Sequence, residues 1–154
     1  MKYGTGDAAV VVNVATQAAL FQALRERFLK REGFALATLN LDHLTKLPRD
    51  PDFAASYGAQ DLIVADGRPV VWLSHLAKRP VELMPGSDLI LPICELAAEL
   101  SLPLAFFGSD VPSLRGAAQA LQTRVPGLEI CHIAAPPMGF DPQSDAADAA
   151  LREI

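Results

Sequence analysis

The stretch LAFFGSDVPSLRGAAQALQTRVPGLEICHI, residues 104–133, decides the fold class of this chain. Leu104–Phe107 is an apolar run that predicts a strand, and residues 108–110 form a tight loop after it. A helix is predicted over Val111–Arg124, and a second strand over residues 128–133 follows a Pro-Gly turn. This strand-helix-strand unit favours a parallel sheet.

The same alternation runs through the preceding residues. A β-branched strand over residues 10–14 leads to Thr16, a helix N-cap, and to a helix over residues 18–30 that we expect Gly33 to stop. A strand over 34–39 follows. Further on, we predict a strand over residues 61–65 and an apolar helix over 70–76.

Two more helices are predicted from local start signals. Asp50 followed by Pro51 is typical of a helix start, and this short helix would end at Gly58. The turn at residues 85–88 begins a helix that ends near Leu100, and Pro92 must either lie near its first turn or cost the helix a hydrogen bond.

Together these elements predict an α/β fold, a Rossmann-like parallel sheet with helices on both faces, in a single domain over residues 1–154. Ligands of such sheets bind where the loops leave the carboxyl ends of the strands. The polar residues and glycines that fall there are the candidate site: Thr38, Asn40, Asp66, Gly67, Gly108 and Ser109.

Composition narrows the class of function. A net charge of -5 and 51% hydrophobic residues argue against a nucleic-acid binder, which needs clustered Lys and Arg, and favour a folded core. Cys94 and Cys131 stand in apolar surroundings without metal-ligand spacing and are expected to be buried free thiols. The start of the chain has no secretion signal, so we expect a cytoplasmic protein.

Asp66 is the first candidate for catalysis, because a carboxylate at a strand end beside Gly67 can be exposed in a cleft and held rigidly, as a general base requires. Asp-Gly is equally a common turn dipeptide. Thr38 and Asn40 could orient a sugar or phosphate by neutral hydrogen bonds, or cap the helix that follows. Gly108 and Ser109 precede a helix N-terminus suited to a diphosphate, or form a tight turn only.

Residues 50–52 spell Asp-Pro-Asp, a DxD pattern of the kind that binds divalent metal in many sugar transferases. Helix capping explains the same residues better, so no metal is predicted. His43, His75 and His132 lack metal-ligand spacing, although His43 could reach the site from the loop after Asn40. Dinucleotide and P-loop patterns do not occur, and no cofactor is expected.

Five segments in order resemble the WecG/TagA/CpsF family of bacterial glycosyltransferases: residues 37–40 (ATLN), 59–67 (AQDLIVADG), 85–89 (PGSDL), 106–108 (FFG) and 139–140 (GF). The resemblance implies transfer of an N-acetylmannosamine-type or related sugar from UDP to a sugar on undecaprenyl diphosphate, with inversion, in cell-surface polysaccharide synthesis. It implies that Asp66 is the base, that Thr38 and Asn40 line the donor-sugar pocket, and that Gly108 lies beside the nucleotide.

The chain departs from the family pattern in two places. Leu83 stands where the family has an arginine that can meet the diphosphate, and Pro85 replaces a threonine; Arg68 or Arg79 could compensate. The resemblance covers about the first two thirds of the family's domain, so we expect a fragment or a natural truncation. Any peripheral contact with the inner face of the plasma membrane is expected only through the missing C-terminal segment.

An alternative is therefore an inactive nucleotide-binding or assembly module. A receiver-like signalling domain fits poorly, because residues 15–17 after the first strand carry no acidic pair. The enzyme and the module alike could form a homo-oligomer. The sugar, the acceptor and the oligomeric state are not specified by these residues.

Overall fold

The computed structural model describes residues 1–4, 9–141 and 144–153. It confirms the α/β class and divides into two compact units, residues 1–89 and 90–154, which are described separately. The elements in chain order are β1 (Lys2–Tyr3), β2 (Val10–Val11), α1 (Gln17–Lys30), β3 (Leu36–Leu39), α2 (Leu41–Lys46), α3 (Pro51–Gly58), β4 (Leu62–Ala65), α4 (Arg68–Leu76), α5 (Gly86–Glu99), β5 (Leu104–Phe107), α6 (Val111–Arg124), β6 (Ile130–Ala134) and α7 (Asp145–Arg152).

Side-chain hydrogen bonds cap two helices, α1 and α3, at the starts that the sequence predicts. The Thr16 hydroxyl accepts from the Ala19 amide at the start of α1, and Asp50 accepts from the Phe53 amide at the start of α3. Asp50 of the DxD pattern is thus a helix cap, which is the interpretation that the sequence analysis favoured over a metal ligand. Each bond satisfies an amide that has no partner inside the helix.

The end of α1 differs from the prediction. Arg31, not Gly33, takes the left-handed conformation, with φ of 54°. Its amide donates to the Phe28 carbonyl, and the Glu32 amide donates to the Arg27 carbonyl. Because these bonds already satisfy the last carbonyls of the helix, the turn is complete before Gly33 is reached.

In the first unit β3 and β4 pair in parallel, with Thr38 opposite Val64 and Leu39 opposite Ala65. On the other side of β4 the Met84 amide donates to the Ala65 carbonyl at 2.8 Å. Residues 82–84 therefore continue the hydrogen-bonded layer beyond β4.

The predicted strand over residues 10–14 is shorter than expected. Only Val10–Val11 is a strand, and it pairs antiparallel with β1. The Asn13 side chain takes the place of backbone here, since its Oδ1 accepts from the Ile63 amide and its Nδ2 donates to the Asp61 carbonyl. This side-chain pairing interrupts the regular ladder.

The core of the first unit is a cluster of buried apolar residues from the strands and from the helices around them: Tyr3, Val10, Val12, Leu39, Leu47, Tyr57, Ile63, Ala65, Val70 and Val81. Each large aliphatic side chain so buried contributes roughly 1.5–3 kcal/mol. The carboxyl ends of β3 and β4 are therefore anchored on a close-packed base.

The second unit contains the parallel pair β5 and β6, joined through α6, as the opening stretch predicts. A smaller cluster of Cys94, Ala97, Val125 and Leu128 forms its core, and burial raises the pKa of the Cys94 thiol. Cys131 is exposed, contrary to the expectation of a buried thiol. Leu104 pairs with Ile130 and Ala105 with His132, so the register shifts at Cys131 and leaves it without a register partner on β5.

Pro92 lies inside α5 and not in its first turn, which is the second of the two alternatives that the sequence left open. Having no amide hydrogen, it cannot donate to the Asp88 carbonyl one turn earlier. Within the described ranges no helix is long and apolar enough to cross a membrane.

Candidate functional site

The first strand edge comprises Thr38, Asn40, Asp66 and Gly67, which follow or end β3 and β4. The Asp66 amide donates to the Leu39 carbonyl at 2.8 Å, so the ladder continues one residue beyond the strands. An added Cβ on Gly67 would lie 4.0 Å from the Asn40 Cβ. The two loops that leave β3 and β4 are thus in contact, as their parallel pairing predicts.

Asn40 caps α2, one of the two roles that the sequence left open. Its Oδ1 accepts from the His43 amide at 3.0 Å. The Nδ2 group makes no hydrogen bond with any other residue of the described ranges, so it remains able to donate to a ligand. The cap thereby fixes the direction of the amide group.

Thr38 lies against the start of α5, a contact that the sequence did not predict. A Cβ on Gly86 would come within 3.4 Å of the Thr38 Cγ2 and 3.9 Å of its Oγ1. A larger residue at Gly86 would press on the threonine. The glycine of the PGSDL segment therefore leaves room for the Thr38 side chain.

Behind Thr38 lies a partly buried polar network of Tyr57 and His43. The Tyr57 hydroxyl donates to the Thr38 carbonyl at 2.6 Å and lies 2.6 Å from the His43 Nδ1. Since the hydroxyl has one hydrogen and donates it to the Thr38 carbonyl, the short contact with Nδ1 is a hydrogen bond when Nδ1 carries a hydrogen. The network fixes the backbone of Thr38.

The charge of Asp66 acts on this network. Burial, and secondly the negative charge of Asp66, raise the pKa of Tyr57 to about 12. Asp66 is itself only partly buried, and its carboxylate makes no hydrogen bond or ion pair with another described residue. A carboxylate in this state can accept a proton or a hydrogen bond from a ligand.

The residue at the family's arginine position also lies at this edge. Leu83 forms a parallel bridge with Ala65, next to Asp66, and its side chain is 42% exposed. Arg68 begins α4 immediately after Gly67 and is exposed. Of the two compensating arginines considered from the sequence, Arg68 is therefore nearer to Asp66 along the chain, whereas Arg79 follows the far end of α4.

The second strand edge is the turn after β5, and its backbone is unusual. Gly108 has φ of 122° and Ser109 has φ of 53°, both in the left-handed region. The Gly108 amide donates to the Ala134 carbonyl at 3.0 Å, which joins this turn to the end of β6. Without a Cβ, Gly108 adopts this conformation without strain.

A cleft of about 650 Å³ opens beside this turn. Its walls are the turn and start of α6 on one side and the loop after β6 on the other: Ser109, Asp110, Val111, Ala135, Pro136, Pro137, Met138, Gly139 and Phe140. Its volume is in the range of small-molecule sites.

Asp110 places a charge at the rim of this cleft. It accepts from both the amide and the hydroxyl of Ser113, and these bonds lower the pKa of the Asp110 carboxyl. The carboxylate therefore stays ionised at neutral pH, and it caps α6.

Sequence reasoning missed Gly86, the Tyr57 network and the loop over residues 135–140 as parts of these edges. The loop could have been found, because it follows the carboxyl end of a predicted strand. His43 was considered, and its ring lies 3.1 Å from the Thr38 carbonyl.

Parallel strand pairs with polar turns at their carboxyl ends define an α/β protein whose ligand sites lie at those ends of the strands. The family model described as glycosyl transferase WecG/TagA/CpsF family matches residues 8–154, and the chain therefore belongs to that family. It is accordingly a glycosyltransferase of cell-surface polysaccharide synthesis, acting with a sugar donor and a lipid-linked acceptor. No curated protein matches the chain.

Proposed function

We propose that this protein is an inverting glycosyltransferase that moves an N-acetylmannosamine-type or related sugar from UDP to an undecaprenyl-diphosphate-linked sugar. The observation that carries the proposal is the partly buried Asp66 carboxylate, which has no partner among the described residues and follows a buried strand. Family membership supplies the reaction class.

Asp66 acts as the general base. It takes the proton of the acceptor hydroxyl as that oxygen attacks the anomeric carbon from the face opposite UDP. The new carbon-oxygen bond forms while the bond to UDP breaks, and UDP leaves with the electron pair. Thr38 and Asn40 hold the sugar through neutral hydrogen bonds, directed by Gly86 and by the helix cap.

The cleft beside Gly108 and Ser109 receives the nucleoside. A diphosphate is disfavoured directly beside Asp110, because two negative charges would be brought together. Ribose hydroxyls can donate to this carboxylate, and the apolar walls suit the base. We therefore propose that the nucleoside occupies the cleft and that the phosphates lie away from Asp110.

Arg68 is proposed to take the role of the cation absent at Leu83. Stabilising the negative charge that develops on the leaving UDP is a major part of such catalysis. Arg68→Gln is expected to lower kcat more than it raises the KM for the UDP-sugar.

The experiment is a transfer assay with UDP-sugars and a lipid-linked acceptor, combined with calorimetric titration of UDP. Asp66→Asn is expected to lower kcat by about 10²–10⁴-fold while UDP affinity changes by less than about twofold. Asp52→Asn is the matched control, since this exposed aspartate of the DxD pattern lies in the first turn of α3.

Three outcomes would contradict the proposal. Equal turnover by Asp66→Asn would remove Asp66 as the base, and a loss of activity in Asp52→Asn would favour a metal-dependent mechanism. UDP binding without transfer to any lipid-linked acceptor would favour the nucleotide-binding module, for which the exposed Leu83 is the supporting observation.

A further inference from the structure

Helix α4 carries its largest apolar side chains on its outer face. Trp72 is 66% exposed and Leu76 is 82% exposed, and Leu73 beside them is exposed as well. Positions 72 and 76 lie one turn apart on the same side of a helix. Large exposed apolar side chains that share one side of a helix are typical of an interaction surface.

The inner face of α4 fixes this orientation. Val70 and Ser74, also one turn apart, are fully buried. The Ser74 hydroxyl donates to the Val71 carbonyl and accepts from the Val81 amide, so the buried polar group is satisfied. The helix therefore cannot rotate to bury Trp72 without leaving this hydroxyl unpaired.

Three cationic residues flank the apolar face along the chain. Residues 68–79 contain Arg68, Lys78 and Arg79 and no acidic residue, whereas the whole chain has a net charge of -5. All three cations are exposed. The α4 patch, which we define as Trp72, Leu73 and Leu76 with these three cations, thus combines an apolar centre with a local positive charge.

We propose that the α4 patch is a docking surface for an anionic lipid bilayer. Tryptophan favours the level of the lipid headgroups, leucines enter the acyl boundary, and nearby Lys and Arg attract anionic headgroups. A second copy of this chain fits the patch less well, because a two-fold contact would bring its cations against themselves. This docking surface lies within residues 68–79.

The patch also bears on the proposed function. Helix α4 begins directly after Gly67, and its nine residues span about 13 Å. Docking through Trp72 and Leu76 would keep Asp66 within about one such length of the bilayer surface, where a lipid-linked sugar is held. Only this consequence rests on the proposed function; the docking itself does not.

The test uses the full chain and the fluorescence of Trp72, the single tryptophan of the sequence. Vesicles of phosphatidylglycerol are expected to shift its emission to shorter wavelength and to quench it when their acyl chains are brominated. Vesicles of phosphatidylcholine alone are expected to leave the emission unchanged. Raising the salt should release the protein, because exposed charges are screened.

Substitutions separate the two parts of the patch. Removing two cations in Lys78→Asn/Arg79→Gln is expected to weaken binding roughly 30-fold. Leu76→Ser should weaken it several-fold, whereas the control Ile90→Ser should bind as the unchanged chain does. Ile90 is 52% exposed on α5, a helix without Lys or Arg. Because all four substituted side chains are exposed, we expect each variant to fold as the unchanged chain does. Circular dichroism checks this.

Three results would overturn the proposal: unchanged Trp72 emission with anionic vesicles, equal binding to neutral ones, or a dimer that Leu76→Ser disperses without any vesicle binding. Asp66→Asn separates this proposal from the proposed function, because it should lose transfer activity yet bind vesicles normally. Vesicle binding by a chain that never transfers sugar would refute the enzyme and leave the docking surface standing.

Discussion

The two strand edges are built differently although both end a parallel strand pair. At the first, a carboxylate, an amide and a hydroxyl are positioned by a helix cap, by Gly86 and by a partly buried network. At the second, a left-handed turn borders an open cleft lined largely by apolar residues. The first edge thus presents polar groups held in fixed directions, and the second presents an open cleft that a ligand can enter.

The difference suits two tasks that a glycosyltransferase must perform. Proton removal and sugar positioning require groups held in fixed directions, whereas a nucleoside requires a concave surface with few polar contacts. We infer that the chemistry belongs to the first edge and nucleoside recognition to the second. The predictions below test this division.

Filling the cleft should give the largest effect. Val111→Trp, at the first position of α6, is expected to lower UDP affinity about 10- to 100-fold, equivalent to roughly 1.4–2.7 kcal/mol. Gln119→Trp, an exposed position of the same helix outside the cleft, is the control. Isothermal calorimetry measures both, and equal affinities would break the assignment of the cleft to the nucleoside.

Adding a Cβ to Gly67 at the first edge should lower the stability of the fold. Gly67 has φ of 108°, and Gly67→Ala is expected to lower the free energy of unfolding by about 1–3 kcal/mol through backbone strain. Gly58→Ala, where the backbone is not left-handed and nothing lies within 4 Å of the added Cβ, should be neutral or stabilising. Urea denaturation of both variants compares them, and equal losses would contradict the strain argument.

The Tyr57 and His43 network behind Thr38 should contribute less to the free energy of unfolding than the glycine at position 67. Tyr57→Phe removes the hydroxyl that donates to the Thr38 carbonyl and is expected to cost about 1–2 kcal/mol. Because the pKa of Tyr57 is raised from 10 to about 12, its contribution is complete below pH 10 and is lost as the pH rises towards 12.

Absorbance at 295 nm measures this titration, since the chain has only two tyrosines. Tyr57→Phe should remove the step near pH 12 and leave that of Tyr3, whose pKa burial also raises. A Tyr57 phenol that titrates near pH 10 would mean that the network is open in solution.

The smallest effect is expected at the rim of the cleft. The Ser113 hydrogen bonds lower the pKa of Asp110 below its ordinary value of 3.8, so its contribution to stability is present above pH 3.8 and is lost as the pH falls through the lowered pKa. Nuclear magnetic resonance of the Ser113 amide should report this titration. An Asp110 that titrates at 3.8 or above would show that the cap does not form.

Helix starts and the β5–α6–β6 unit could be predicted because they depend on neighbours in the chain. Thr16, Asp50 and Asp110 each bond an amide three residues on, so the residue type at one position almost determines the result. Helix α2 was missed because its six residues carry little periodicity and Asn40 has two possible roles.

Contacts between distant residues could not be predicted. Gly86 meets Thr38, and Tyr57 meets His43, only after β3 and the helices pack, and no spacing in the sequence encodes these pairs. Asn13 is a similar case, because its side chain replaces backbone bonds to β4. The candidate residues were thus predictable by their place at strand ends, and their supporting partners were not.

Titration of the isotopically labelled full chain with UMP, followed by amide chemical shifts, tests the division between the two edges most directly. The account predicts shifts at Ser109, Val111 and the amides of residues 138–140, with Thr38 and Asn40 unchanged until a UDP-sugar is added. Shifts confined to Thr38 and Asn40, or no shifts around the cleft at saturating UMP, would contradict it.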